Sequence, residues 1–194
     1  MTNSYNNAVT GSASPRLDNL LTALSLGLAD DGNAALARAT GLSGAAPAAL
    51  LAVDEFLGGA TIGRLAEVLD LTHSGAVRLV SLLEGEGLAR RAPGADRRRV
   101  EVRLTSAGRR RARAARTARD AVVSETTAAL EPDDRARLEV LLDRLVAARV
   151  AARVERRQAG DHGPWLCRTC DMTACGRPEG RCPAQVTAQR LLGP

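Results

Sequence analysis

Apolar residues recur at helical spacing through most of the chain, and they alternate with polar residues in only one short stretch. The first helical pattern begins at Ser14-Pro15, since Ser is a favoured N-cap and Pro a favoured first helical residue. We expect this helix to end at the polar Asp30–Gly32 and a second short helix to cover Ala34–Thr40. A further helix is predicted over Ala46–Leu57.

The stretch from Thr61 to Leu104 has the pattern of a helix, a turn, a second helix and a hairpin. Thr72 is a good N-cap for the second helix, and Gly87 is a good residue to end it. Alternation on both sides of a turn-forming tip, Ala92–Asp96, predicts two short strands. This order is typical of a winged helix-turn-helix unit that binds DNA. Residues 61–104 are called the reader below.

Two long helices are predicted after the reader. Thr105 caps the first, which is rich in arginine, and Pro132 opens the second, which runs to about Arg157. The leucine and valine stripe of the second helix is wider than one packing partner needs, which favours a further contact surface. We interpret most of the arginines of the first helix as a solvated face. Residues 1–13 are polar, and we expect them to be disordered.

The reader resembles the MarR family of bacterial transcription regulators. The matching residues are Leu65-Ala66, Leu71-Thr72-His73-Ser74, Arg78, Leu83-Glu84, Gly87-Leu88, Arg90-Arg91, Asp96-Arg97-Arg98 and Leu104-Thr105-Ser106-Ala107-Gly108-Arg109. The resemblance implies a mostly α fold with a small β-wing, in which the Ala46–Leu57 helix supports the reader. It also implies a homodimer joined by residues 14–30 and 106–157, here called the dimerisation arm, within a domain spanning residues 14–157.

The resemblance places the DNA contacts in two parts of the reader. The start of the second helix would enter the major groove, where Arg78 would bind either a guanine or a phosphate. Arg97 or Arg98 would lie in the adjacent minor groove. A two-fold dimer would favour a pseudo-palindromic operator in double-stranded DNA. The predicted DNA-binding residues are Thr72, His73, Ser74, Gly75, Arg78, Arg97 and Arg98, although His73 could also be an inert surface residue.

The distribution of charge agrees with a DNA-binding reader. Residues 61–119 carry 14 Arg against six acidic residues, whereas the rest of the chain carries 13 Arg against 16 acidic residues. A basic segment that coincides with the reader is expected of a phosphate-binding surface. No apolar stretch is long enough to span a membrane and the N-terminus does not have a signal-peptide pattern, so we expect a cytoplasmic protein with no membrane partner.

Residues 158–194 form a cysteine tail in which Cys167, Cys170, Cys175 and Cys182 have the spacing C-x2-C-x4-C-x6-C. Four cysteines this close together in a cytoplasmic protein indicate a metal site. Zinc accepts four thiolates, but the Cys182-Pro183 ending is also found in iron–sulfur loops, so zinc, an iron–sulfur cluster and thiol redox chemistry all stay open. His162 is a possible substitute ligand but fits a surface position better, and Trp165 is expected to pack the tail onto the dimerisation arm.

These patterns favour a DNA-binding transcriptional regulator, and a repressor in particular. Its affinity for DNA would respond either to a small molecule bound between the arm and the reader or to the metal or redox state of the cysteine tail. The chain has two histidines and no Gly-rich phosphate loop or HExxH motif, so we do not expect an enzyme. An iron–sulfur redox protein and a non-specific nucleoid protein are the alternative functions.

Overall fold

The computed structural model describes residues 14–94 and 100–193, and among these the chain is mostly helical. The helices are α1 (Pro15–Thr40), α2 (Ala46–Glu55), α3 (Ile62–Leu69), α4 (His73–Gly85), α5 (Ser106–Thr127), α6 (Pro132–Gln158) and α7 (Pro183–Leu192). The strands are β1 (Ala60–Thr61), β2 (Ala89–Pro93) and β3 (Val100–Leu104). The predicted fold class, mostly α with a small β-wing, is confirmed.

The three strands form one antiparallel sheet in the order β1-β3-β2. Ala89 of β2 is opposite Leu104 of β3, and this register continues to Pro93 opposite Val100. The β1 strand, which sequence analysis missed, pairs Ala60 with Val102. The sheet therefore connects the start of α3 to the wing, because β1 and β2 both pair with β3.

The main hydrophobic core lies between the reader and α2. Leu50, Leu65, Val80, Leu83 and Val102 are fully buried there, each from a different element or a different turn of one helix. A smaller cluster of Leu36, Leu51 and Ala115 joins α1, α2 and α5. Burial of side chains this size contributes about 1.5–3 kcal/mol each, so these two clusters hold the reader on the long helices.

The expected break at Asp30–Gly32 is wrong, because α1 runs without interruption to Thr40. Helical glycine costs about 1 kcal/mol relative to alanine, which burial of Ala35 and Leu36 beyond it offsets. The helix ends at Gly41, whose φ of 68° is in the left-handed region and whose N–H donates to the Ala37 carbonyl.

The other predicted boundaries agree closely with the structure. The α2 helix ends at Glu55 rather than Leu57, and the predicted wing tip begins too early because Ala92 and Pro93 belong to β2.

Sequence analysis also missed α7 in the cysteine tail. Residues 1–13, predicted to be disordered, lie outside the described residues. Among the described helices, none combines the length and the apolar character that a membrane span requires.

Candidate nucleic-acid interface and cysteine cluster

The start of α4 is shaped by its N-cap. The Thr72 hydroxyl accepts a hydrogen bond from the Gly75 N–H at 3.1 Å and lies 3.2 Å from the Ser74 hydroxyl. A Cβ on Gly75 would lie 3.1 Å from the Thr72 hydroxyl oxygen, which is tighter than almost all such contacts. Gly75 therefore keeps the cap compact, and the first N–H groups of α4 lie at the surface where an anion is favoured.

The structure brings the predicted major-groove residues together at this turn. Thr72, His73, Ser74 and Arg78 are all exposed, and Gly75 is half-buried among them. Ala76 and Val80, on the opposite face of α4, are fully buried. One face of the helix is thus fixed by the core and the other presents donors to a ligand. The predicted minor-groove residues, Arg97 and Arg98, lie outside the described residues.

Arg91 fastens the wing to α4. Its backbone N–H donates to Glu84 at 2.7 Å, its guanidinium forms an ion pair with the same carboxylate, and it also donates to the Ser81 hydroxyl at 3.1 Å. The side chain is about one-third exposed. Arg91 therefore orients the wing relative to α4, whereas its neighbour Arg90 is exposed.

The interpretation of the α5 arginines as a solvated face is wrong for two of them. Arg111 donates to the Thr40 carbonyl at the end of α1. Arg116 is only 14% exposed and lies 2.6 Å from Glu55 and 3.6 Å from both Asp54 and Asp171. These side chains join elements that are distant in sequence, so their spacing on α5 alone does not distinguish them from solvated arginines.

The four cysteines lie together but form two pairs. The sulfurs of Cys175 and Cys182 are 3.6 Å apart, and Cys182 is 2% exposed. The Cys170 N–H donates to the Cys167 carbonyl at 3.1 Å, which places these two residues side by side. Cys167 and Cys175 both pack against the apolar cluster around Cys182 and Val150. Within residues 14–94 and 100–193, no three His, Cys, Asp or Glu side chains are close enough to bind one metal ion as they stand.

Cys167, Cys170 and Cys175 differ in acidity. The hydrogen bond from Cys167 lowers the pKa of Cys170 to about 7, and the charge of Arg119 acts in the same direction. The same hydrogen bond, together with burial, raises the pKa of Cys167. Burial and the contact with Cys182 raise the pKa of Cys175 to about 11. The Cys170 thiol is therefore much closer to the thiolate form than those of Cys167 and Cys175.

Trp165 packs the tail mainly onto the reader, although the dimerisation arm was predicted. Its ring is stacked on Phe56 with centroids 6.4 Å apart, and the Arg64 guanidinium lies 4.3 Å above it. Its backbone N–H donates to the Val68 carbonyl at 2.8 Å. Only Arg157, 5.8 Å from the ring, comes from the arm. Since Trp165 is more than 100 residues from Phe56 and Arg64 in sequence, periodicity does not reveal this contact.

Residues 40–99 match the family model described as "MarR family". The match covers the end of α1, α2, the helix-turn-helix and most of the wing, and it leaves the cysteine tail outside. No curated protein matches the chain. The sequence evidence for the family therefore rests on the reader and its supporting helix.

Solved structures of this family share the fold. A MarR family protein from Bacillus stearothermophilus has a TM-score of 0.60 at 23% identity, with 67% of this chain and 90% of that chain covered. CouR from Rhodococcus jostii RHA1, solved with p-coumaroyl-CoA bound, has a TM-score of 0.54 at 26% identity, with 70% and 95% covered. MepR, a transcription regulator of the Staphylococcus aureus multidrug efflux pump MepA, has a TM-score of 0.60 at 18% identity, with 68% and 96% covered. The winged-helix fold of the MarR proteins is therefore shown for this chain.

Proposed function

We propose that this protein is a MarR-type transcriptional regulator that binds a specific DNA sequence as a homodimer and acts as a repressor. The observation that carries the proposal is the exposed start of α4, where Thr72, His73 and Ser74, and Arg78 one turn later, face away from a buried helix side. An α-helix fits the major groove, where every base pair has its own pattern of donors and acceptors. The basic charge of residues 61–119 supplies the attraction to phosphate.

Within this function, the polar residues of the turn have different roles. The Thr72 and Ser74 hydroxyls suit a phosphate or a base edge, and Arg78, one turn further on, suits a bidentate contact with guanine. Arg97 and Arg98 are proposed to bind the minor groove next to the same half-site. The contact of Arg91 with Glu84 supports this arrangement because it fixes the angle between wing and helix.

The proposed homodimer is supported by apolar surface on the long helices. Leucines and valines with 45–61% exposure line the first half of α1 and the middle of α6. A monomer rarely exposes so many large apolar side chains along two long helices. The residues are Leu17, Leu20, Leu21, Leu24, Leu26, Val140, Leu141, Leu142 and Leu145.

A small-molecule effector is also proposed, between the arm and the reader. A cavity of about 340 Å³ lies beside the end of α2, β3 and the start of α5, with Val53, Asp54, Arg103 and Arg109 among its lining residues. The bound p-coumaroyl-CoA in CouR supports ligand control in a protein of the same fold. The arginines would favour an anionic compound.

Selection of duplexes from a randomised DNA pool tests the proposal. We expect enrichment of a pseudo-palindromic site that the wild-type protein binds as a dimer. The Arg78→Ala variant should weaken binding to that site by about 1–3 kcal/mol and relax the preference at one base pair. Arg190→Ala is the matched control, since Arg190 is exposed on α7, outside the reader and both apolar stripes, and it should bind as the wild type does.

Two outcomes would contradict the proposed function. If no sequence is enriched and binding depends on salt alone, the protein is a non-specific nucleoid protein. If it binds no DNA and instead transfers electrons from a donor, it is an iron–sulfur redox protein.

A further inference from the structure

The cysteine tail is folded against the long helices rather than extended from them. Cys182 is buried with Val150 of α6 and Ala184 of α7, and Cys167 and Cys175 pack against the same cluster. A segment with so few large apolar residues does not bury enough surface to hold this fold by itself. Another source of stability is needed at the point where the four sulfurs approach each other.

We propose that the four cysteines bind one zinc ion and that this ion sets the DNA affinity of the reader by holding the tail against it. This inference rests on the proposed DNA-binding function. The sulfurs of Cys175 and Cys182, 3.6 Å apart, are already spaced like two ligands of one ion. In tetrahedral zinc with bonds of about 2.3 Å, neighbouring thiolates lie about 3.8 Å apart.

Zinc fits the remaining geometry better than a four-iron cluster. In such a cluster each thiolate binds a different iron, so two ligand sulfurs are not this close. Cys167 packs against the cluster that contains Cys182, so the second pair is beside the first. Binding requires the Cys167–Cys170 pair to move closer to Cys175 and Cys182 and the thiols to release protons. A two-iron cluster also places two thiolates on each iron, and the experiment below separates it from zinc.

The tail reaches the reader immediately before its first cysteine. Trp165 is two residues from Cys167, and its N–H donates to the carbonyl of Val68 at 2.8 Å. Val68 lies in the last turn of α3, where carbonyl groups have no partner within the helix. The tail thus supplies a hydrogen bond that α3 lacks, directly before the turn that leads to α4.

A second contact lies between the middle cysteines. The Met172 N–H donates to the Glu55 carboxylate at 2.8 Å, at the end of α2. The same carboxylate is 2.6 Å from Arg116, which is 3.6 Å from Asp171. Since Asp171 and Met172 lie between Cys170 and Cys175, an ion bound to these cysteines fixes both contacts.

Bound zinc would therefore stabilise two contacts of the tail with helices at the reader. With zinc bound, the tail holds the end of α2 through Glu55 and the end of α3 through Val68. Without zinc, the loop from Cys167 to Cys182 loses the metal–thiolate bonds that hold its ends together. Trp165 then no longer stays packed against Phe56 and Arg64. The reader keeps its own core, in which α2, α3, α4 and β3 meet, but α4 is less well oriented for the major groove.

The first experiment measures metal and tail docking in the full chain. Protein purified without oxygen should contain one zinc per chain, with no iron or sulfide and no absorbance near 400 nm. Trp165 is the only tryptophan, so its emission reports the docking directly. Removal of zinc with a chelator should shift the emission to longer wavelength, and added zinc should restore it.

Cys175→Ser and Thr173→Ala form a matched pair of variants. Thr173 is exposed in the same loop and carries no sulfur, so its variant should keep zinc and the wild-type emission. Cys175→Ser should lose zinc and show the shifted emission while its far-ultraviolet circular dichroism stays helical. If Cys175→Ser does not fold, chelation of the wild-type protein still gives the zinc-free state.

The second experiment measures binding to a duplex selected by the zinc-loaded protein. Removal of zinc should weaken binding by about tenfold, as is usual for coupled sites, and zinc should restore it. Trp165→Ala should keep zinc but bind DNA weakly with or without it, because the ring contacts with Phe56 and Arg64 are lost. A colourless zinc protein whose DNA affinity is the same with and without the metal would overturn the coupling.

The two proposals fail in different ways. If the zinc-loaded protein selects no DNA sequence, the proposed function fails, whereas zinc content and Trp165 emission still decide the metal site. Bound iron and sulfide, or two disulfides without metal, would overturn zinc. In both of these cases sequence-specific DNA binding by the wild-type protein would leave the proposed function intact.

Discussion

At the scale of single residues, the start of α5 contains a position at which the surrounding backbone leaves no room for a side chain. Gly108 lies where this helix meets the wing, and the Thr105 hydroxyl accepts from its N–H at 3.0 Å. A Cβ at Gly108 would lie 1.9 Å from the Leu88 carbonyl oxygen. Leu88 is buried and its carbonyl accepts from the Thr105 N–H at 3.0 Å, so the carbonyl has little room to move. The first turn of α5 therefore touches the wing backbone only because residue 108 has no side chain.

Gly108→Ala should consequently lower the free energy of unfolding by about 2 kcal/mol, the usual effect of an overfilled contact. Urea unfolding followed by circular dichroism measures this. Gly85→Ala is the control, because nothing lies within 4 Å of a Cβ placed there at the end of α4. It should leave the stability unchanged or raise it by up to about 1 kcal/mol. Equal stability of the two variants would contradict the close contact.

At the scale of elements, ion pairs connect the helices that support the reader. Arg116 of α5 is 14% exposed and faces three carboxylates, of which Asp54 and Glu55 belong to α2. Arg116→Met should lower the free energy of unfolding by roughly 3 kcal/mol, because the largely covered carboxylates of Asp54 and Glu55, each 16% exposed, lose their cation. Arg113→Met, at an exposed position of the same helix, should change it by less than about 1 kcal/mol. Thermal unfolding of both variants tests the difference.

Local signals account for most of the element boundaries that sequence analysis predicted. Thr72 and Thr105 cap α4 and α5 as their sequences indicate, since the bonds that define a cap lie within three residues. Contacts between distant residues account for what it missed. The two-residue strand β1 exists only by pairing with β3, and the Trp165–Val68 bond joins the tail to α3. Neither contact leaves a periodic pattern in the sequence.

At the scale of the whole molecule, the exposed apolar stripes of α1 and α6 carry the proposed dimer. Leu145 is 52% exposed in the middle of the α6 stripe. Leu145→Asp should place a charge in the interface and give a monomer at micromolar concentration, as measured by sedimentation equilibrium. Leu192→Asp is the control, since Leu192 is 62% exposed at the end of α7. That variant should remain a dimer, and a monomeric wild-type protein would refute the assignment.

Because α1 is uninterrupted, a rotation at one end of the helix displaces the other end. With 26 residues the helix is about 39 Å long. Its first half carries the exposed leucines, and its last turns pack with α2 and α5 behind the reader. A rotation of about 5° at one end moves the other end by about 3 Å over this length. In the proposed dimer the two α4 helices must match half-sites about 34 Å apart, so a small change of crossing angle between subunits would be enough to move them out of phase with the DNA.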